Sequence, residues 1–256
     1  MLSLATPISH LFKNDSFADL IGPVTDCFEV RDHTMKSDLP KQYLYHCDLQ
    51  PIHPWTEEEF THLKLVKKNK PELKLITFHC ASCCDKPEFL GKIWILGGNK
   101  YSEEEMLRNA KNNFIKIREI FGNDIAFAIE NNNYYKTSAY DSVCQPYFIT
   151  KVIEQNNLNL LLDLAHAQIS ASNMDMSFHE YINGLPLERV IQIHICSPAK
   201  DENGNLYDAH QLPCSFEINE ALEISKKYNP KYLTLEYYRS IEEVKDSLIE
   251  LKRIFA

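Results

Sequence analysis

Glycine is scarce in this 256-residue chain, which has only 7, and no Gly/Ser-rich or single-charge tract interrupts it. That composition excludes flexible linkers and low-complexity disorder. Long apolar runs are missing as well: no stretch approaches the ~18 residues that a bilayer-spanning helix needs. The N-terminal MLSLATPISHLFKND lacks the basic start and long apolar core of a secretory signal. A cytoplasmic location is therefore expected. Basic residues are in deficit, with 27 Lys and Arg against 36 Asp and Glu and a net charge of −9. Without a global positive field the chain is poorly suited to phosphate backbones, which disfavours nucleic acid as a partner.

Cysteine is better represented. Eight irregularly spaced cysteines occur in a chain large enough to fold without covalent staples, and they read as reduced thiols. Cys80-Ala-Ser-Cys83-Cys84 contains a C-x-x-C, but no second pair completes a zinc site, so a chemical role for Cys80, Cys83 and Cys84 is the lesser reading. Hydrophobic residues make up 44%, enough for one sizeable core. Residues 1–256 are expected to form a single domain, since α/β barrels of about 250 residues routinely do.

Short β-forming runs alternate with helical segments from end to end, which predicts an α/β fold of repeated βα units. Eight strands are expected, at 2–7, 26–31, 43–48, 74–79, 125–130, 159–163, 190–195 and 232–236. Most are near-continuous apolar runs, as strands covered on both faces should be. Thr56-x-x-Glu59, Ser102-x-x-Glu105 and Ser240-x-x-Glu243 have capping-box spacing. Met106, Ala110, Phe114, Ile117 and Phe121 form one apolar helical stripe, and Val244, Leu248, Leu251 and Phe255 another. The connection from Thr34 to Lys41 is too short and proline-broken for a full helix, and the one from Ser82 to Tyr101 is long. Eight βα units would close a TM-free, soluble-type (β/α)8, or TIM, barrel.

The third to eighth strands finish on or beside a possible metal ligand: His46, His79, Glu130, Asp163 with His166 in the loop beyond, His194 and Glu236. Barrel active sites occupy those C-terminal ends. The loop after the seventh strand adds Asp208-Ala-His210. Any one of these could be a hydrogen-bonded group capping a barrel layer. Six strand ends in succession favour a site. Five imidazoles and four carboxylates exceed the needs of one four-coordinate ion, which suggests two or three ions sharing carboxylates. All-N/O ligation suits iron, manganese or zinc. Asn131, Asn132, Tyr237 and Arg239 flank ligands and are candidates to orient them or to act in catalysis. Glu29 and Arg31 end the second strand and either orient substrate or pair with each other. His10, His33, His53, His62 and His179 read as structural or solvent-exposed.

Through these residues the chain is identified as a member of the xylose-isomerase-like barrel superfamily. Its ligand order, His, His, Glu, Asp-x-x-His, His, Asp-x-His, Glu, is similar to the trinuclear zinc site of endonuclease IV, a nuclease of abasic DNA. The words LLLDLAHAQISASN, HICSPAKDENGNLYDAHQLP and YLTLEYYRS resemble the multinuclear non-heme iron-dependent oxidative enzymes, which modify cysteines in ribosomally made peptides. Many members of that family carry Asn where this chain has His166. The resemblance implies two or three metal ions, iron favoured, acting with dioxygen on a cysteine-containing peptide, with or without a partner protein that presents it. The first alternative is a zinc phosphodiesterase, and a sugar isomerase or epimerase is the second.

Overall fold

The computed structural model describes residues 2–12, 19–91, 93–122 and 124–256. In chain order its strands are β1 (Ser3–Pro7), β2 (Cys27–Arg31), β3 (Gln42–Cys47), β4 (Leu75–Phe78), β5 (Glu88–Leu90), β6 (Ile93–Ile95), β7 (Ala126–Glu130), β8 (Asn159–Asp163), β9 (Val190–Ile195), β10 (Ser197–Lys200), β11 (Leu206–Gln211) and β12 (Tyr232–Leu235). The helices are α1 (Glu57–Asn69), α2 (Glu103–Phe121), α3 (Pro146–Gln155), α4 (Leu164–Asn173), α5 (Phe178–Asn183), α6 (Ser215–Tyr228) and α7 (Ile241–Ile254). Eight strands close a parallel barrel in the order β1-β12-β9-β8-β7-β4-β3-β2. These are the eight expected from the sequence, with ends shifted by a residue or so.

One irregular connection is as expected, and two others differ from expectation. Between β2 and β3 there is only a 3-10 turn, Asp32–Thr34, so that unit has no crossover α-helix. The Ser82 to Tyr101 loop carries the antiparallel hairpin β5–β6, and the segment with Asp208 and His210 is strand β11, paired to β10 rather than a loop.

The helices start where their side chains can satisfy free N–H groups. Thr56 and Ser102 make reciprocal capping boxes with Glu59 and Glu105. Ser240 makes only half of one: its hydroxyl accepts from Glu243 N–H, while the Glu243 carboxylate is taken by the Tyr237 hydroxyl. The expected stripe of α2 is buried throughout, and that of α7 is buried at Val244, Leu248 and Leu251. Inside the barrel a separate apolar floor comprises Ala5, Cys27, Leu44, Leu75, Ala128, Leu161, Ile191 and Tyr232. All eight cysteines are free thiols, and Cys80, Cys83 and Cys84 are buried. No helix among the described residues is long and apolar enough to cross a membrane.

Phe114 is fully buried and packs edge-on against Phe78 with ring centroids 5.7 Å apart, whereas its neighbour Ile115 is 51% exposed. Phe114→Ala should lower the unfolding free energy by ~3–5 kcal/mol, through lost burial and the cavity left behind. Ile115→Ala should change it by no more than about 0.5 kcal/mol. Urea unfolding followed by circular dichroism measures both, and equal effects would contradict the assigned stripe.

Candidate metal centre

Side chains on a barrel strand alternate between lumen and outer wall. Two residues above the apolar floor, the lumen-facing series arrive at Glu29, His46, Thr77, Glu130, Asp163 and Thr234, all buried. One further step brings Arg31, His79 and Glu236. Strand β9 adds Gln192 and His194, also fully buried, one residue out of step with its floor residue Ile191. The strand period itself therefore builds a polar layer on the apolar one.

Glu130 is the hub. Its Oε2 lies 2.9 Å from His79 Nδ1 and 3.5 Å from His46 Nε2, and its Oε1 lies 3.5 Å from both His166 Nδ1 and His194 Nδ1. Asp163 Oδ2 is 3.8 Å from those same two nitrogens. Glu236 places Oε2 3.1 Å from His194 Nδ1 and Oε1 3.4 Å from His210 Nε2. Asp208 Oδ2 is 3.4 Å from both His166 Nε2 and His210 Nε2. All nine candidate ligands thus lie in one contiguous cluster.

Asp163 and His166 meet differently from expectation. Strand β8 runs straight into α4, so His166 stands on the first helical turn, not in a loop. Asp163 Oδ1 caps that helix by accepting the His166 N–H at 2.7 Å, which returns the residue three positions on to the cap's own side. Its Oδ2 remains uncommitted.

Further residues hold the ligands in place. Glu29 Oε2 lies 3.0 Å from His194 Nε2 and also accepts from Gln192 Nε2 at 2.6 Å. Gln192 is tied in turn to Thr234 Oγ1 at 2.8 Å. One Arg31 nitrogen, Nη2, bridges Glu29 Oε1 at 2.7 Å and Glu236 Oε1 at 2.6 Å. Tyr238 donates its hydroxyl to Glu236 Oε1 at 2.7 Å, and His46 Nδ1 meets Thr77 Oγ1 at 2.6 Å. Asn131 joins the ends of β7 and β8, accepting the Asp163 N–H and donating to the Asp163 carbonyl, each at 2.9 Å.

The other flanking candidates lie elsewhere. Tyr237 faces outward to Glu243, and Arg239 is exposed and donates to the Ala209 carbonyl. Alternation explains the difference: Glu236 and Tyr238 share the lumen side, so 237 and 239 do not. That period could have found Tyr238, and Gln192 two residues before His194, in the sequence. His53 is structural, bonded to the Ser82 carbonyl, and exposed His179 pairs with Glu220. His10 and His33 are exposed but wall the cavity over the cluster, a place the sequence did not suggest. Asp32, Cys47 and His62 form a further close triad outside the lumen. The Tyr45 hydroxyl lies 2.6, 3.3 and 2.9 Å from them, so a hydrogen-bond hub already occupies that group.

The cluster is electrostatically crowded. Burial disfavours charge on Glu130 and Glu236, yet His46 and His166 around the first, and Arg31 and His210 around the second, hold both carboxyls well below the usual range. Asp163 yields instead: burial, with Glu130 and Glu236 nearby, raises it to about 6. Burial also opposes protonation of His166 and His194, but adjacent carboxylates outweigh it and raise both well above the ordinary imidazole range. His46 is pushed well below that range by burial and by Arg31.

Three subsets have ligand atoms within 4.8 Å of one another: His46, His79 and Glu130; Glu130, Asp163 and His166; Asp163, His194 and Glu236. Glu130 and Asp163 each belong to two of them. Asp163 Oδ2 and Asp208 Oδ1 are buried without a hydrogen bond, and the buried Glu130 Oε2 and His194 Nδ1 meet only other members of the cluster. Uncommitted buried lone pairs converging from carboxylates and imidazoles fit divalent cations. A cavity of about 720 Å³ opens directly above them.

Barrels of this kind are known. The 3-keto-D-glucoside 4-epimerase YcjR of E. coli superposes with a TM-score of 0.61 at 13% identity, covering 99% of this chain and 100% of that one. The D-psicose 3-epimerase of Clostridium cellulolyticum H10 superposes at 0.58 with 12% identity and 99% coverage of both. At such identities the likeness is one of fold, the xylose-isomerase-like barrel. In sequence, a UPF0276 protein of Caulobacter vibrioides is 28% identical over 124 residues, 48% of this chain and 44% of that protein. A UPF0276 protein of Rhizobium meliloti is 25% identical over 164 residues, 62% of this chain and 50% of the relative. The chain spans about half the length of these curated relatives. A family model described as "RiPP precursor modification enzyme MbnB/TglH/ChrH" matches residues 51–256. That match takes in every strand end of the cluster except β2, with Glu29 and Arg31, and β3, with His46, and with it the chain belongs to the MbnB/TglH/ChrH family of RiPP precursor modification enzymes.

Proposed function

We propose that this chain is a metal-dependent oxidoreductase that modifies cysteine in a peptide substrate, with two or three ions, iron favoured, held by the nine clustered residues. The observation that carries the reading is the pair of shared carboxylates: Glu130 and Asp163 each link two ligand triads into one extended site. A single-ion site would have no use for that connection. Family membership supplies the substrate class, a ribosomally made precursor peptide. Iron, once bound, supplies one-electron chemistry and a Lewis-acidic position for a thiolate.

The protein's own part is positional. Glu29 fixes His194 through Nε2, which leaves Nδ1 turned toward Glu130 and Glu236 as the ligating nitrogen. Arg31 and Tyr238 hold Glu236 Oε1, so Oε2 faces the cluster. Thr77 likewise orients His46, with Nε2 toward Glu130. Over this frame, Trp94 and Tyr140 line the cavity together with Arg31, His10 and His33. A peptide entering it would be shielded from bulk water by the aromatic rings and would meet the Arg31 guanidinium.

Elemental analysis of anaerobically purified protein should find about two or three ions per chain. Iron would favour the oxidative reading and zinc a phosphodiesterase, while at most one weakly held ion would sink both. Glu29→Gln should keep the fold and weaken metal binding by about 10–100-fold, as loss of an outer partner of a ligating His does. Tyr237→Phe should leave it unchanged.

Proton release offers an independent check. His166 and His194 are held protonated well above the ordinary range in the bare cluster, and His210 up to about 9, by carboxylates that outweigh burial. Only neutral imidazole ligates, so an incoming cation must displace those protons. Affinity should therefore rise with pH through the range in which these imidazoles titrate, His210 near 9 among them. A titration in weak buffer at neutral pH that releases no protons would contradict this assignment.

A further inference from the structure

The most exposed large apolar side chains among the described residues are Phe89 at 73% and Leu90 at 62%, neighbours on β5. They belong to the β5–β6 hairpin, in which Leu90 pairs with Ile93 and Phe89 with Trp94. In a two-residue antiparallel hairpin the closing pair exchanges hydrogen bonds and the next pair does not. Trp94 obeys this. Its N–H donates to the Tyr140 hydroxyl at 3.1 Å and its carbonyl accepts from the Thr137 hydroxyl at 2.6 Å, both on the side away from β5. By the same alternation the N–H and C=O of Phe89 face outward, along an edge of β5 that no other described strand pairs with.

Side chains connect that edge to the cavity. The Phe89 ring stands edge-on to Trp94 with centroids 6.0 Å apart, and Trp94 stacks on Tyr140 at 6.1 Å and 11°. Both Trp94 and Tyr140 line the cavity above the metal cluster. Among the described residues, an aromatic path therefore runs from a strand edge with no pairing strand to the site. Pro87, two residues before Phe89 on the same edge, has no N–H to offer. It prevents a long ladder, as edge prolines do, and leaves room for a short one at Phe89.

We propose that the free edge of β5, with the Phe89–Trp94–Tyr140 face, docks an extended segment of the substrate peptide beside its cysteine. The inference rests on the peptide-substrate reading above. An extended peptide carries the carbonyl that Phe89 N–H lacks and the N–H that its carbonyl lacks, and strand addition of this sort takes affinity from main-chain bonds. Alternate apolar side chains of the peptide would lie on the aromatic face, while a residue further along enters the cavity.

The test uses the full chain and a library of short synthetic peptides, each with one central cysteine and varied flanks, read by fluorescence anisotropy. The best wild-type binders should lose about tenfold or more in affinity with Phe89→Pro, which removes the N–H, and with Trp94→Ala. Phe89→Ala, which keeps the N–H, should lose less than Phe89→Pro. Metal content should match the wild type in all three. In wild-type protein the Phe89 amide should exchange hydrogen more slowly when a binding peptide is added, a measurement independent of whether any variant folds. Unchanged affinities, or unchanged exchange at Phe89, would overturn the docking edge and leave the peptide reading standing. A metal-loaded wild-type protein that binds no library member would overturn both.

Discussion

The structure turns on placing five carboxylates, Glu29, Glu130, Asp163, Asp208 and Glu236, at one end of a closed barrel. Taking a single carboxylate out of water costs several kcal/mol even after relaxation, unless charge of the opposite sign accompanies it. Arg31 is the one cation in the cluster that cannot lose its charge, and it lies between Glu29 and Glu236. The remaining compensation must come from groups whose charge can change. Part of it comes from protons, held more tightly on His166, His194 and His210 than on ordinary imidazoles, with the Asp163 carboxyl raised as well. Divalent ions would take over that role, so one electrostatic demand accounts both for the shifted protonation and for the fit to metal.

Much of this was legible in the sequence because a barrel strand is a ruler with a period of two. Once a strand end is located, its lumen-facing residues follow, and the third to eighth strands each carry a candidate ligand at that end. The alternation also explains which neighbours were misjudged. Tyr237 and Arg239 flank Glu236 in sequence but face away from the lumen, whereas Tyr238, two residues on, bonds to it. Proximity along the chain is a poor guide to proximity across a strand.

What the sequence left hidden belongs to connections rather than strands. Asp208 and His210 were found by spacing, but their position on a hairpin comes from pairing between β10 and β11, with a register shift between Ser197 and Ala199 that no local pattern announces. The β5–β6 hairpin was equally concealed, since its three-residue strands are too short for periodicity to register. His10 and His33 reach the cavity because the first two barrel strands place their loops over it, a consequence of closure. These are long-range effects, set by where the ends of the sheet meet.

Asp163 shows how fold and chemistry are joined at one residue. Its Oδ1 closes the first turn of α4, and the N-terminus of a helix favours a negative charge there. Burial and the neighbouring Glu130 and Glu236 oppose that charge more strongly and raise the carboxyl to about 6. The helix cap needs only an acceptor oxygen, which a protonated carboxyl retains, so the fold tolerates either state. The ligand role needs the charge. A residue under this tension can gain or lose its proton near pH 6 without disturbing the helix it caps. That separation between Oδ1, committed to the backbone, and Oδ2, left free, is what lets the second of the two shared carboxylates stand at a strand end in a rigid barrel and still respond to what is bound.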